Sequence, residues 1–119
     1  MTNKKLIVLF LFFGMYSGGY SQTVSFVQFK VNKISTAEEA KIIDDKIASK
    51  KGIISSRSDY VTSTYFCSVS SESDYTFEDF NAWFQKLGYE IGCYNAGTYG
   101  NTEMISPHEL KKCEVNNNP

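Results

Sequence analysis

The chain has 119 residues, which is enough for one small domain with a single core. Its 12 basic and 13 acidic residues nearly balance, so it lacks the strongly basic face that nucleic-acid binding requires, and we expect no nucleic-acid partner. Because 15% of its residues are aromatic, we expect the chain to be ordered except at the "NNNP" end.

The first residues, "MTNKKLIVLFLFFGMYSGGYSQ", follow the pattern of a secretory signal peptide. Two lysines precede an apolar run from Leu6 to Phe13, which is shorter than the roughly 20 residues that span a bilayer. Small residues at Gly19 and Ser21 predict cleavage after Ser21, so residues 1–21 are assigned as the signal peptide. No cysteine lies near that site to carry a lipid. We expect a periplasmic or secreted protein without a membrane anchor after cleavage; the alternative is a buried N-terminal helix of a cytoplasmic protein.

Residues 22–94 contain alternating strand and helix patterns. "TVSFVQFKV" alternates apolar and polar residues and predicts a strand. "STAEEAKIIDDKIASKKG" places Ala40, Ile43 and Ile47 on one helical face and predicts an amphipathic helix. "IISSRSDYVTSTYFCSV" predicts two strands around a polar turn near Asp59.

"TFEDFNAWFQKLG" predicts a second helix, whose apolar stripe is formed by Phe77, Phe80, Phe84 and Leu87. "YEIGCY" predicts a last short strand. The resulting order is the βαββαβ unit of a ferredoxin-like α+β fold, an antiparallel sheet with two helices on one face. Residues 95–119 form a C-terminal extension, in which "SPHELKKCE" predicts one short helix capped by Ser106.

The stretch from Thr76 to Ile91, "TFEDFNAWFQKLGYEI", resembles the second helix and the "LGYEV" ending of heavy-metal-associated domains. That family comprises copper chaperones and the N-terminal modules of metal-pumping ATPases. "KIIDDKIASKKGIIS" is similar to its first helix, and the resemblance extends over about residues 24–94. Family members carry a Gly-Met-x-Cys-x-x-Cys loop where the first helix starts. Here Thr36 and Glu39 occupy the two cysteine positions, so the resemblance implies the fold without the family's thiolate site for copper or zinc.

The spacing of Thr36 and Glu39 predicts a capping box. In that arrangement the Thr36 hydroxyl accepts from the backbone N–H of Glu39, and the Glu39 carboxylate accepts from the N–H of Thr36. The alternative is a weak site for a hard cation built from Thr36, Glu38 and Glu39. Because such sites use six or more oxygen ligands, we expect a helix cap and no metal or other cofactor.

Three cysteines in an oxidising compartment predict a disulfide. In the predicted sheet the first strand separates the third from the fourth, which places Cys67 and Cys93 about 9 to 10 Å apart. A disulfide requires Cα atoms within roughly 7 Å. Cys93 and Cys113 are therefore the candidate pair, and Cys67 is expected to be a buried thiol. A metal site formed by Cys93, His108 and Cys113 is the alternative.

No catalytic residue is assigned, because no serine, cysteine or carboxylate stands at a recognisable catalytic spacing from His108, the single histidine. We therefore expect that the protein is not an enzyme. Phe26, Phe66 and Tyr94 are expected on the sheet face away from the helices, where they either bind an unknown protein partner or a second copy, or are covered by the C-terminal extension. The sequence predicts an exported binding and interaction module without the thiolate site. The alternative is a metal-handling protein, a transporter or chaperone component, with a rearranged site.

Overall fold

The structure, a computed structural model, describes residues 24–115. The elements in this part of the chain are β1 (Val24–Val31), α1 (Ala37–Ala48), β2 (Ile53–Asp59), β3 (Thr64–Ser70), α2 (Phe77–Lys86), β4 (Ile91–Thr98) and α3 (Pro107–Lys111). The predicted signal peptide lies outside the described residues. Among residues 24–115, no helix has both the length and the apolar character to cross a membrane.

The four strands form one antiparallel sheet in the order β2-β3-β1-β4. This order, with α1 and α2 as the connecting helices, is the ferredoxin-like α+β fold predicted from the sequence. In the central pair of strands, Val27 lies opposite Cys67 and Phe29 lies opposite Tyr65. All four side chains are buried. Because side chains alternate along a strand, they share one face, which we call the helix face; the opposite one is the open face.

Both helices pack their predicted apolar stripes on the helix face. Ala40, Ile43 and Ile47 are the buried residues of α1. Phe80 and Phe84 are the buried residues of α2, whereas the flanking Phe77 and Leu87 are partly buried at the margin of the core. The Phe29 ring lies 5.0 Å from the rings of both Tyr65 and Phe84. An aromatic cluster therefore fills the space between the sheet and α2.

The fourth strand is longer than predicted. It runs to Thr98 and pairs with β1 as far as Ser25. The boundary placed at residue 94 therefore falls inside the strand, and the extension begins beyond Thr98. The sequence after Tyr94 is polar and glycine-containing, which hides its strand character, because here pairing with β1 rather than side-chain burial forms the strand.

A bulge in β4 changes the face on which Tyr94 lies. Cys93 has a left-handed backbone with φ of 57°, and the register between β1 and β4 shifts at this point. An extra residue moves the following side chains to the opposite face. The Tyr94 ring lies on the helix face, 6.1 Å from Phe29 and 5.6 Å from Phe77. The prediction that Tyr94 belongs to an exposed patch on the open face was therefore wrong.

Candidate functional site

The start of α1 holds the two positions that the resemblance aligns with metal-binding cysteines. Thr36 caps the helix, and its hydroxyl accepts a 3.1 Å hydrogen bond from the backbone N–H of Glu39. The Glu39 carboxylate accepts a 2.9 Å bond from the N–H of Ser35. The expected donor was the N–H of Thr36, and this detail was wrong because the long Glu39 side chain reaches past the cap residue. Both side chains are thus engaged in starting the helix.

The loop before α1 is held by the turn between β2 and β3. The N–H of Ile34 donates to the Ser63 hydroxyl at 2.9 Å, and that hydroxyl donates to the carbonyl of Val31 at 2.8 Å. Tyr89 lies beside the same helix start, and its pKa is raised by burial and then by the Glu39 carboxylate. Within residues 24–115, no group of three or more His, Cys, Asp or Glu side chains is placed to hold a metal ion.

The three cysteines form a disulfide and a buried thiol. Cys93 and Cys113 are joined, with their Cα atoms 6.5 Å apart. Cys67 is fully buried in the core, and burial raises the pKa of its thiol to about 12. Because the thiolate is the form that attacks electrophiles and binds metals, this environment suits Cys67 to neither role. The disulfide also leaves His108 without the thiolates of the alternative metal site.

The extension covers the centre of the open face. Phe26 points to this face as predicted, yet it is 0% exposed. The Tyr99 ring lies 5.6 Å from the Phe26 ring, and the Phe66 ring lies 6.3 Å from it on the neighbouring strand. The Tyr99 hydroxyl forms a 2.8 Å hydrogen bond with the hydroxyl of Ser68. Phe26 is therefore covered and not accessible to a partner. Of the three residues predicted to form an interaction surface, Phe66 alone lies on the open face and is partly exposed.

Gln28 fixes the extension above the sheet. Its side-chain Nε2 donates to the carbonyl of Ile105 at 2.8 Å, and its Oε1 accepts from the N–H of Ile105 at 2.7 Å. The same oxygen accepts from Asn95 Nδ2 at 2.8 Å. Gln28 is 4% exposed, so its side-chain amide has lost its hydrogen bonds to water. It forms hydrogen bonds with the backbone of Ile105 instead, in the way that a neighbouring strand would. The alternation in "TVSFVQFKV" predicts that Gln28 shares a face with Phe26, but it gives no sign of this role.

The helix α3 completes the cover. Ser106 caps it by accepting a 3.3 Å bond from the N–H of Glu109, as predicted for "SPHEL". Leu110 is its buried residue, and the helix contacts β1 and β3. The disulfide between Cys113 and Cys93 then joins the extension to β4. The extension is thus held by apolar, polar and covalent contacts in succession.

A groove of about 500 Å³ remains on the open face beside the extension. The strands β2 and β3 form its floor, and α3 with the residues before it forms a wall. Its apolar side chains include Phe66, Met104, Ile105 and Leu110. Arg57 and Asp59 are its charged residues, and the half-exposed Tyr60 lies at its end. In the described sheet β2 is an edge strand, so the groove is bordered there by a strand that pairs on one side only, with β3.

A polar cluster lies on the other side of β2. Asp44 of α1 accepts hydrogen bonds from Ser58 at 2.9 Å and from Ser56 at 3.3 Å. The Ser56 hydroxyl also bonds with that of Tyr65 at 2.6 Å. Burial raises the pKa of both Asp44 and Tyr65. The cluster contains no histidine or reactive thiol, and it attaches α1 to the edge strand.

Comparisons with known proteins support the fold. No protein-family model matches the chain. A search of curated proteins finds no match. Among solved structures, the chain is similar to the N-terminal soluble domains of Bacillus subtilis CopA, with 15% identity and a TM-score of 0.53 over 69% of this chain and 52% of that one. The chain spans about half the length of that structure. At this identity the likeness shows the fold alone, which is ferredoxin-like.

Proposed function

We propose that the protein is an exported binding module, periplasmic or secreted, which uses its heavy-metal-associated-like fold as a scaffold. Its binding surface is the groove between the extension and β2. It does not hold a metal through thiolates at the start of α1, and it is not an enzyme. The expected leader in residues 1–21 supports export.

The groove carries this proposal. Its volume of about 500 Å³ falls within the roughly 300 to 1,000 Å³ of small-ligand sites, which are mostly apolar with a few placed polar groups. Phe66 and Ile105 supply apolar surface, and Arg57 supplies a charge at the rim. The start of α1 differs, because the Thr36 hydroxyl and the Glu39 carboxylate each already accept a hydrogen bond from a neighbouring backbone N–H.

A metal-handling role is the second candidate, and the likeness to the soluble domains of CopA favours it. The site would have to be rearranged, since Thr36 and Glu39 stand at the aligned positions and soft metal ions prefer thiolate ligands. A Cu(I) competition assay separates the candidates. The binding module should hold copper no more tightly than its Thr36→Ala, Glu39→Ala double variant, whereas tight stoichiometric copper that the double variant loses would establish the metal role.

Photo-crosslinking in the native host tests the binding function. Tyr60, 46% exposed at the groove, is replaced by a photoreactive phenylalanine derivative in the full chain, and Ile42, 59% exposed on α1, serves as the matched control. Fractionation locates the protein, and mass spectrometry of the intact product measures the adduct. We expect a periplasmic or secreted protein with a defined adduct at position 60 alone. Equal labelling at both positions, or retention in the cytoplasm, would contradict the proposal.

A further inference from the structure

The groove contains the chain's single arginine. Arg57 is surrounded in the sequence by serines, and every other cation among the 12 basic residues is a lysine. It lies in the middle of β2 opposite Phe66 of β3, so both side chains belong to the open face. Arg57 is exposed and lines the groove. A planar guanidinium therefore stands beside the aromatic floor of the groove.

The charge of Arg57 is available to a ligand. Within residues 24–115, the ion pairs are Lys41 with Asp45 and Lys112 with Glu109, and neither includes Arg57. Asp59 is the other charged residue of the groove. Its two carboxylate oxygens accept bonds of 2.9 Å from the turn that follows β2, one from the N–H of Val61 and one from the hydroxyl of Thr62. Asp59 is thereby tied to the turn, and no carboxylate in the described part of the chain forms an ion pair with the guanidinium.

The residues facing Arg57 across the groove are apolar. Gln28 fixes the backbone of Ile105, and Leu110 is the buried residue of α3, so this wall is formed before any ligand arrives. Met104 is 43% exposed at its edge and can adapt to the shape of an apolar group. The groove thus combines an apolar wall, the cation of Arg57 and the carboxylate of Asp59, whose oxygens are already bonded to the turn. This combination complements a molecule with an apolar body and one anionic end that binds at Arg57.

We propose that the groove binds a small apolar carboxylic acid, with its carboxylate on Arg57 and its apolar body against Phe66, Ile105 and Leu110. This assignment rests on the proposed binding function of the same groove. Arginine favours a carboxylate because its fork donates two parallel N–H bonds to the two oxygens, a geometry that a lysine ammonium does not provide. A single guanidinium matches the single charge of a carboxylate, whereas a phosphate group offers more charge and more oxygens than one side chain satisfies.

Calorimetric titration of the oxidised protein with decanoate tests this assignment, with decanamide as the uncharged ligand of similar shape. We expect one decanoate per protein and much weaker decanamide binding. Arg57→Gln should weaken decanoate binding by about tenfold or more, because a charge-assisted hydrogen bond is lost. Arg57→Lys should restore part of the affinity, since it keeps the charge but not the fork. Lys41→Gln removes one positive charge on α1 and should leave decanoate binding unchanged.

The outcomes separate the ligand class from the binding function. Equal binding of decanoate and decanamide, or unchanged decanoate binding by Arg57→Gln, would overturn the role of Arg57. No decanoate binding by the parent protein, combined with an adduct at position 60 in the crosslinking experiment, would overturn the ligand class and leave the groove as a binding site. An adduct at position 60 with the mass of a protein would also overturn the ligand class and leave the groove as a binding site. Arg57 is exposed, so its variants should melt like the parent, and thermal unfolding verifies this.

Discussion

The two faces of the sheet are closed by different kinds of interaction. On the helix face, α1 and α2 cover the strands with regularly spaced apolar side chains, and the rings of Phe29, Phe80 and Phe84 form its centre. On the open face, an irregular segment is held by the Gln28 amide, by a tyrosine and by a disulfide. The first face is closed by many apolar contacts of the same kind. The second depends on a few specific ones, each of which a single substitution can remove.

The largest effect is expected on the helix face. Phe84 is 0% exposed, so Phe84→Ala should lower the free energy of unfolding by about 3 to 5 kcal/mol through lost burial and a residual cavity. Urea unfolding followed by far-ultraviolet circular dichroism measures the change. Ile42→Ala removes an apolar side chain that is 59% exposed on α1 and should have little effect. Similar stability of Phe84→Ala and the parent would show that α2 does not pack as described.

The helix face could be predicted because its signal is local. Phe80 and Phe84 recur at the period of a helix, and Phe29 alternates with its neighbours at the period of a strand. Nothing local predicts that Gln28 pairs with Ile105, 77 positions away. Nor does the alternation in "YEIGCY" reveal the bulge that turns Tyr94 to the helix face. The groove escaped prediction for the same reason, since its wall exists only once the extension has docked.

The disulfide should provide the next largest effect. Replacing Cys93 and Cys113 together by serine removes a link between residues 20 positions apart, and this should cost about 3 kcal/mol on the chain-entropy estimate. Denaturant unfolding of the oxidised protein and the double variant measures the difference. Cys67→Ala is not a suitable control, because Cys67 is buried. The parent protein under reducing conditions serves as the control, and its free energy of unfolding should match that of the double variant.

Peptide mapping under non-reducing conditions checks the pairing itself. It should recover Cys93 linked to Cys113, and Cys67 as a free thiol that reacts slowly until the protein unfolds, because burial raises its pKa to about 12. A link from Cys67 to Cys93 would contradict the strand order, because β1 lies between β3 and β4.

A smaller effect is expected from the Gln28 amide. Gln28→Leu keeps a side chain of similar size but leaves the N–H and carbonyl of Ile105 without their partner, at a cost of about 1 to 3 kcal/mol. Hydrogen exchange measures the local consequence, because the amide of Ile105 should lose its protection while amides of α2 keep theirs. Ser55→Ala, an exposed change on β2, is the control. Retained protection at Ile105 would show that the disulfide and α3 hold the extension without Gln28.

The smallest effect should come from the start of α1. The family resemblance aligns a thiolate metal site with this position, whereas the structure has a helix cap there. Thr36→Ala removes the acceptor for the N–H of Glu39 and should cost about 1 kcal/mol. Ser35 provides a matched control, because its backbone N–H rather than its side chain bonds with Glu39, so Ser35→Ala should be nearly neutral. Equal losses in the two variants would mean that Ser35 shares the capping role. Unlike the disulfide on the open face, this cap joins residues three positions apart, so its removal should fray the first turn of α1 and leave the extension and the groove in place.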